Sequence, residues 1–167
     1  MRAVVGAAFC SDFGVPWATL THMADSVFGK IIRGEIPCHK LYEDERVLAF
    51  LDVGPLSEGH ALVIPKEPAV TLDELSDESA AAVGRVLPRI CRAIKRATGT
   101  LAFNVLENNL PLAHQAVPHV HFHVIPKPDE KTGLGIRWNS GQADPVRAAE
   151  LAERIRADLA REPNAAS

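Results

Sequence analysis

Hydrophobic positions along this chain follow two rhythms. Short apolar runs rich in Val, Ile, Leu and Phe, bounded by Gly, Pro or Asp, predict strands at 40–42, Val47–Leu51, Ala61–Pro65, 101–106 and 117–125. Turns are expected at Asp44-Glu45 and Gly54-Pro55. Elsewhere the period is helical. Val83, Val86, Leu87, Ile90, Ile94 and Ala97 recur at helix spacing between Ser76, a good N-cap followed by Asp77 and Glu78, and Gly99, a good terminator. Pro88 is expected to kink that helix. Residues 26–33 read as a short helix ended by Gly34. Asp144-Pro145 opens a last helix through about Leu159, with Ala148, Leu151, Ile155 and Leu159 on one face. The order β-β-β-α-β-β argues for an α+β fold, an antiparallel sheet with helices packed on it.

One strand carries chemistry. In Pro118-His119-Val120-His121-Phe122-His123-Val124-Ile125-Pro126, imidazole and apolar side chains alternate. On a strand, His119, His121 and His123 share one face and Val120, Phe122 and Val124 the other. The apolar set is expected against a core and the imidazoles against something polar. Three uses of the row are open: an ordinary half-buried strand, a metal site, or nucleophilic catalysis. Histidine is the commonest metal ligand. Yet His119 to His123 spans roughly 13 Å of strand, too far for all three rings to meet one ion. Cys10, Cys38 and Cys91 are isolated and offer no C-x-x-C pair, so neither metal nor cofactor is expected. A neutral imidazole is a good nucleophile near pH 7, its unperturbed pKa being about 6.5. It needs one ring nitrogen bare and the other held by an acceptor, and flanking rings can donate to an oxyanion.

The run His119 to Val124 matches the H-φ-H-φ-H-φ pattern (φ apolar) that names the histidine triad family. Further segments resemble the Hint branch of that family, in its order: Phe28-Gly29-Lys30-Ile31-Ile32-Arg33-Gly34-Glu35-Ile36-Pro37, then Leu48-Ala49-Phe50-Leu51-Asp52-Val53-Gly54-Pro55, then Gly59-His60-Ala61-Leu62-Val63-Ile64-Pro65-Lys66, then Asn104 to Asn109 and His114-Gln115. The resemblance implies a five-stranded antiparallel sheet with a long central helix and a C-terminal helix, in a two-fold dimer whose sheets join. It implies hydrolysis of adenosine 5'-monophosphoramidates to AMP and an amine through an AMP–histidine adduct. His121 would be the nucleophile. His123 and the Gln115 amide would lie on the phosphate oxygens, with His119 supporting the ring row. Asp52 would take the ribose hydroxyls, Ile36, Phe50 and Val53 would line the base pocket, and Asn108 would sit near the phosphate. His114 neighbours the site by sequence, whereas His22, His39 and His60 read as surface or loop residues. Rival readings are a dinucleoside polyphosphate hydrolase of the same family and a nucleotide-binding regulator with vestigial activity.

The chain departs from family patterns at several points. Some members bind zinc through C-x-x-C and a later His; here Ser26, Gly29 and Pro68 stand there. Ala116 replaces a Ser whose hydroxyl could help protonate the leaving amine, and Gly54 precedes the proline where Asn or Ser is common.

Length and charge narrow the field. A chain of 167 residues can bury one real core. A net charge of −3 gives no electrostatic case for nucleic-acid binding. No run of about 18 apolar residues predicts a membrane span. Scattered cysteines fit a cytoplasmic protein, also nuclear if eukaryotic. Lys and Arg are scarce near the triad, Lys127 being nearest, which suits a monoanionic phosphate better than a polyphosphate tail. Residues 1–22 are expected to be a disordered extension, 23–143 the histidine triad domain, and 144–167 a C-terminal helix and tail. Trp138 is either a rim residue or a contact into a partner subunit.

Overall fold

The computed structural model describes residues 26–137 and 139–162. The expected extension, with Cys10 and His22, and Trp138 lie outside the described residues. Helix α1 (Val27–Ile32) is followed by strands β1 (Lys40–Glu43), β2 (Val47–Leu51) and β3 (Ala61–Pro65), helix α2 (Asp77–Thr98), strands β4 (Phe103–Glu107) and β5 (Phe122–Pro126), and helix α3 (Pro145–Leu159). The five strands form one antiparallel sheet in the order β1-β2-β3-β5-β4. The α+β class and the five-stranded sheet are as expected.

Local chemistry sets the helix ends. Ser26 caps α1 by accepting the Gly29 N–H at 3.0 Å, and Gly34 leaves it at φ +77°. Ser76 caps α2, and the Glu67 carboxylate takes the Ser76 N–H and both the Ser76 and Ser79 hydroxyls. Gly99 ends α2 in the left-handed conformation, and the helix runs on through Pro88.

The sheet is covered on both faces. Register places Ala49, Val63 and Phe122 on one face and Phe50, Leu62, His123 and Leu106 on the other. The helical stripe Val83, Val86, Ile90 and Ile94 packs on the first face, against Val47, Ala49, Val63 and Val124. On the second, Phe28 of α1 packs with Leu48, Phe50, Leu62 and Ile64. Each fully buried aliphatic side chain contributes about 1.5–3 kcal/mol, so this double cover makes β2 and β3 the rigid centre of the fold.

Three expectations are corrected. The last strand is shorter than 117–125: pairing starts at Phe122. Continuing the β3–β5 register would set Pro65 opposite Val120, and proline has no N–H for the ladder. Val120 N–H turns instead to Ala69 O at 2.8 Å. The imidazole face is only partly polar: Phe28 meets His119 and His121 edge-on, at centroid distances of 6.1 and 5.1 Å, while His123 faces His60 and Asp52. The stripe on α3 does not pack on the domain; Leu151, Ile155 and Leu159 are 49%, 51% and 65% exposed.

Candidate active site

The backbone dictates the tautomer of the central histidine. His121 Nδ1 lies 2.7 Å from the carbonyl oxygen of His119. A carbonyl only accepts, so Nδ1 carries the proton and Nε2 keeps its lone pair. His121 is only 3% exposed, and burial holds its imidazole below the ordinary histidine range. The ring is therefore neutral at pH 7, with one bare nitrogen. His119 contributes its main chain to this arrangement. Its own ring, pushed down in pKa by burial, donates from Nε2 to Pro65 O at 2.8 Å and packs on Phe28.

A second main-chain group fixes the next ring. Leu56 N–H donates to His60 Nδ1 at 3.1 Å. His60 Nε2 is then the protonated nitrogen, and it donates to His123 Nδ1 at 2.9 Å. His123 is left with its proton on Nε2, a donor for an anion. Burial, with His121 and His60 alongside, pushes His123 down to about 4, against the pull of Asp52. His60 is also lowered by burial. Asp52 Oδ2 lies 3.5 Å from His60 Nε2 and 4.0 Å from His123 Nδ1, while its Oδ1 accepts Gly54 N–H at 2.8 Å. The carboxylate thus both caps the turn and faces the rings.

Two cavities meet here. One, of about 310 Å³, is lined by Val27, Ile31, Ile36, Phe50, Val53 and Leu62 with Asp52, Ala116, His121 and His123. The other, of about 520 Å³, shares Asp52, Ala116 and the two histidines and adds His60, Asn108 and His114. Sequence reasoning therefore brings together His121, His123, Asp52, Asn108 and His114, and gathers Ile36, Phe50 and Val53 in the apolar cavity. Among the described residues, neither Lys nor Arg lines either cavity; Lys127 Nζ donates instead to Glu130 O and Thr132 O.

The family model described as HIT domain matches residues 33–130. This chain belongs to the histidine triad (HIT) family. It is 50% identical over 129 residues to the adenosine 5'-monophosphoramidase hnt1 of Schizosaccharomyces pombe, covering 77% of this chain and 94% of that one. It is 50% identical over 103 residues to the adenylylsulfatase HINT3 of Arabidopsis thaliana, covering 62% of this chain and 52% of that one. A solved structure from Leishmania major, titled a hypothetical protein, superposes with a TM-score of 0.79 at 51% identity, over 83% of this chain and 99% of that one.

Within the HIT fold, several residues behave differently from expectation. His60 does lie in a loop, just before β3, but it is no surface side chain: it is 3% exposed and orients His123. Gly59 makes this possible, with φ +82° and Thr98 Cγ2 only 2.7 Å from where a Cβ would sit. The sequence signal was slight, that His60 directly precedes β3; it is the pairing of Leu62 with His123 that brings the two rings together. Gln115 lines neither cavity; its Oε1 accepts Leu110 N–H at 2.9 Å and its Nε2 donates to Val70 O at 2.6 Å. His119 lines neither; its carbonyl holds the His121 tautomer, in keeping with a supporting place in the ring row. Ser26 and Gly29, where some relatives carry zinc cysteines, form the α1 capping pair. Among the described residues, Asp52, His60 and His123 form the grouping whose donor atoms could converge on a cation, all within 4.8 Å. Two imidazoles ligating one zinc tetrahedrally would stand about 3.3 Å apart, wider than the 2.9 Å of their present hydrogen bond.

Proposed function

We propose that this chain hydrolyses adenosine 5'-monophosphoramidates, releasing AMP and an amine. The observation that carries the reading is the bare Nε2 of His121, a neutral nucleophile at the wall common to both cavities. The base enters the apolar cavity between Ile36, Phe50 and Val53, and Asp52 accepts from the ribose hydroxyls. His121 Nε2 attacks phosphorus; the N–P bond forms as the bond to the leaving nitrogen breaks, and that nitrogen takes up a proton. Water then attacks the adenylyl–histidine phosphorus, its released proton making good through solvent the one the amine took up, and His121 leaves as it arrived. His123 Nε2–H donates to an equatorial oxygen throughout, a preset donor of the kind that stabilises developing charge.

The names of the similar proteins support a nucleotidyl-transfer enzyme over a regulator with vestigial activity. The lack of Lys and Arg among the described residues lining the cavities favours a monoanionic phosphoramidate over a dinucleoside polyphosphate. Measuring kcat/KM for adenosine 5'-phosphoramidate and for diadenosine triphosphate decides between them: the first is expected to exceed the second at least tenfold, and the reverse order overturns the reading.

The reading extends to assembly and place. A two-fold dimer joined at the β4 edge is supported by the exposure of Leu101, Phe103 and Val105, at 76%, 37% and 47%. A reducing, cytoplasmic setting suits the free Cys38 and Cys91.

A further inference from the structure

The two cavities share the His121–His123 wall and extend away from it in different directions, and their linings differ in what they can hold. The smaller rests on α1, β2 and β3; the larger spreads over β5 and β4 toward the loop after β5. If the nucleoside takes the first, as the proposed function has it, the remaining substituent on phosphorus has the second to enter.

That second cavity is larger than an ammonia or a small anion requires, at about 520 Å³, and most of its far wall is aliphatic: Leu56, Leu106, Ile125, Leu134 and Ile136. Ile125 continues the His121–His123 face by one more step along β5, and Leu106 stands directly across from His123 in the β4–β5 register. The outer wall is built, not incidental. Gly133 N–H donates to Leu56 O at 3.1 Å, and a Cβ at Gly133 would lie 2.6 Å from Pro126 O, so a glycine brings this loop down onto the end of β5. Leu56 and Ile136 are still 48% and 42% exposed at the rim. The polar groups Asn108 and His114 sit in the same lining as the two histidines.

We propose that this β4–β5 cavity is a leaving-group site and that it selects amines bearing an aliphatic substituent of four carbons or more. The inference rests on the phosphoramidase reading and names the class of amine. Each methylene buried there is worth about fourfold in kcat/KM.

The test is a series of AMP phosphoramidates of methylamine, butylamine and hexylamine. These amines are of nearly equal basicity, so bond-breaking alone leaves their rates level. In the wild type, kcat/KM is expected to rise at least tenfold from methyl to hexyl. In Ile136→Ser the hexyl-to-methyl ratio is expected to fall toward one, whereas Leu41→Ser, at a similarly exposed leucine on β1, keeps the wild-type ratio. A level series with every member hydrolysed leaves the phosphoramidase standing and overturns the leaving-group site, as does a slope that survives Ile136→Ser. No turnover of any member, with diadenosine triphosphate cleaved, removes the phosphoramidase reading and this inference with it.

Discussion

His60 Nε2 donates to His123 Nδ1 at 2.9 Å, and the direction of that hydrogen bond is set by the Leu56 N–H on the far side of the His60 ring. A main-chain proton at one end thus determines which nitrogen of His123 faces a phosphate. Replacing His60 by Ala removes the donor and lets His123 adopt either tautomer. A lost buried hydrogen bond of this kind is worth about 1–3 kcal/mol, so kcat is expected to fall roughly ten- to a hundredfold with KM little changed. His60→Gln, which keeps an N–H donor, is expected to recover part of the loss. Steady-state kinetics, with nitrogen-15 NMR of the His123 ring, reads both effects.

Acid unfolding follows from the same cluster. An imidazole in the unfolded chain titrates near 6.5, whereas folded His123 is held at about 4. Between these values the unfolded chain binds more protons, so stability rises with pH. The His123 contribution is complete above about pH 6.5 and is lost as pH falls through about 4; for this one ring it amounts to about 3 kcal/mol. Urea titrations from pH 4 to 7.5 are expected to show that slope, and His123→Asn to reduce it, the buried rings of His60, His119 and His121 keeping the remainder. Since burial also lowers His121, the acid limb of kcat/KM is expected below the ordinary histidine range.

Leu110 sits at φ 67° and ψ 160°, a region that strains a residue with a Cβ. Gln115 holds it there through Oε1, anchored in turn on Val70 O. The turn Pro111–Ala113 and His114 follow from that point. Gln115→Ala is expected to lower kcat at least tenfold by letting the turn drift. Leu110→Gly is expected to stabilise by about 1 kcal/mol, and the double variant to lose less activity than Gln115→Ala alone. A double-mutant cycle on kcat and on urea midpoint reads the coupling.

Val105→Lys tests the edge-strand dimer. A charge on an exposed edge strand blocks pairing with a second copy. Sedimentation equilibrium is expected to give twice the chain mass for wild type and the single chain mass for the variant. Removing residues 144–167 tests separately whether the bare stripe of α3 adds to the same contact.

What the sequence revealed is what local interactions decide. Ser26, Ser76, Asp144, Gly34 and Gly99 act within a few residues of themselves, and each ends its helix as read. The apolar stripe of α2 and the strands Val47–Leu51 and Ala61–Pro65 are likewise carried by their own periodicity. Misreadings came where a distant residue decides. The start of β5 depends on Pro65, a proline on another strand. His60 resembles a loop histidine until β3 pairs with β5 and buries it. Gln115 resembles a phosphate ligand of its family, and the contacts of its amide with Val70 and Leu110 depend on segments that only the fold brings together. The stripe on α3 is less sharply periodic than that on α2, and no sequence pattern says which surface covers it.

The most direct test of the account is to find where the adenylyl group goes. Protein mixed with an adenosine 5'-phosphoramidate and quenched in alkali within a turnover is expected to gain about 329 Da, the mass of one adenylyl group bound covalently, with peptide fragmentation placing it on His121. His121→Ala is expected to show neither the gain nor measurable turnover. An adduct on another residue, or an His121→Ala enzyme that still hydrolyses the substrate at near wild-type rate, would contradict it.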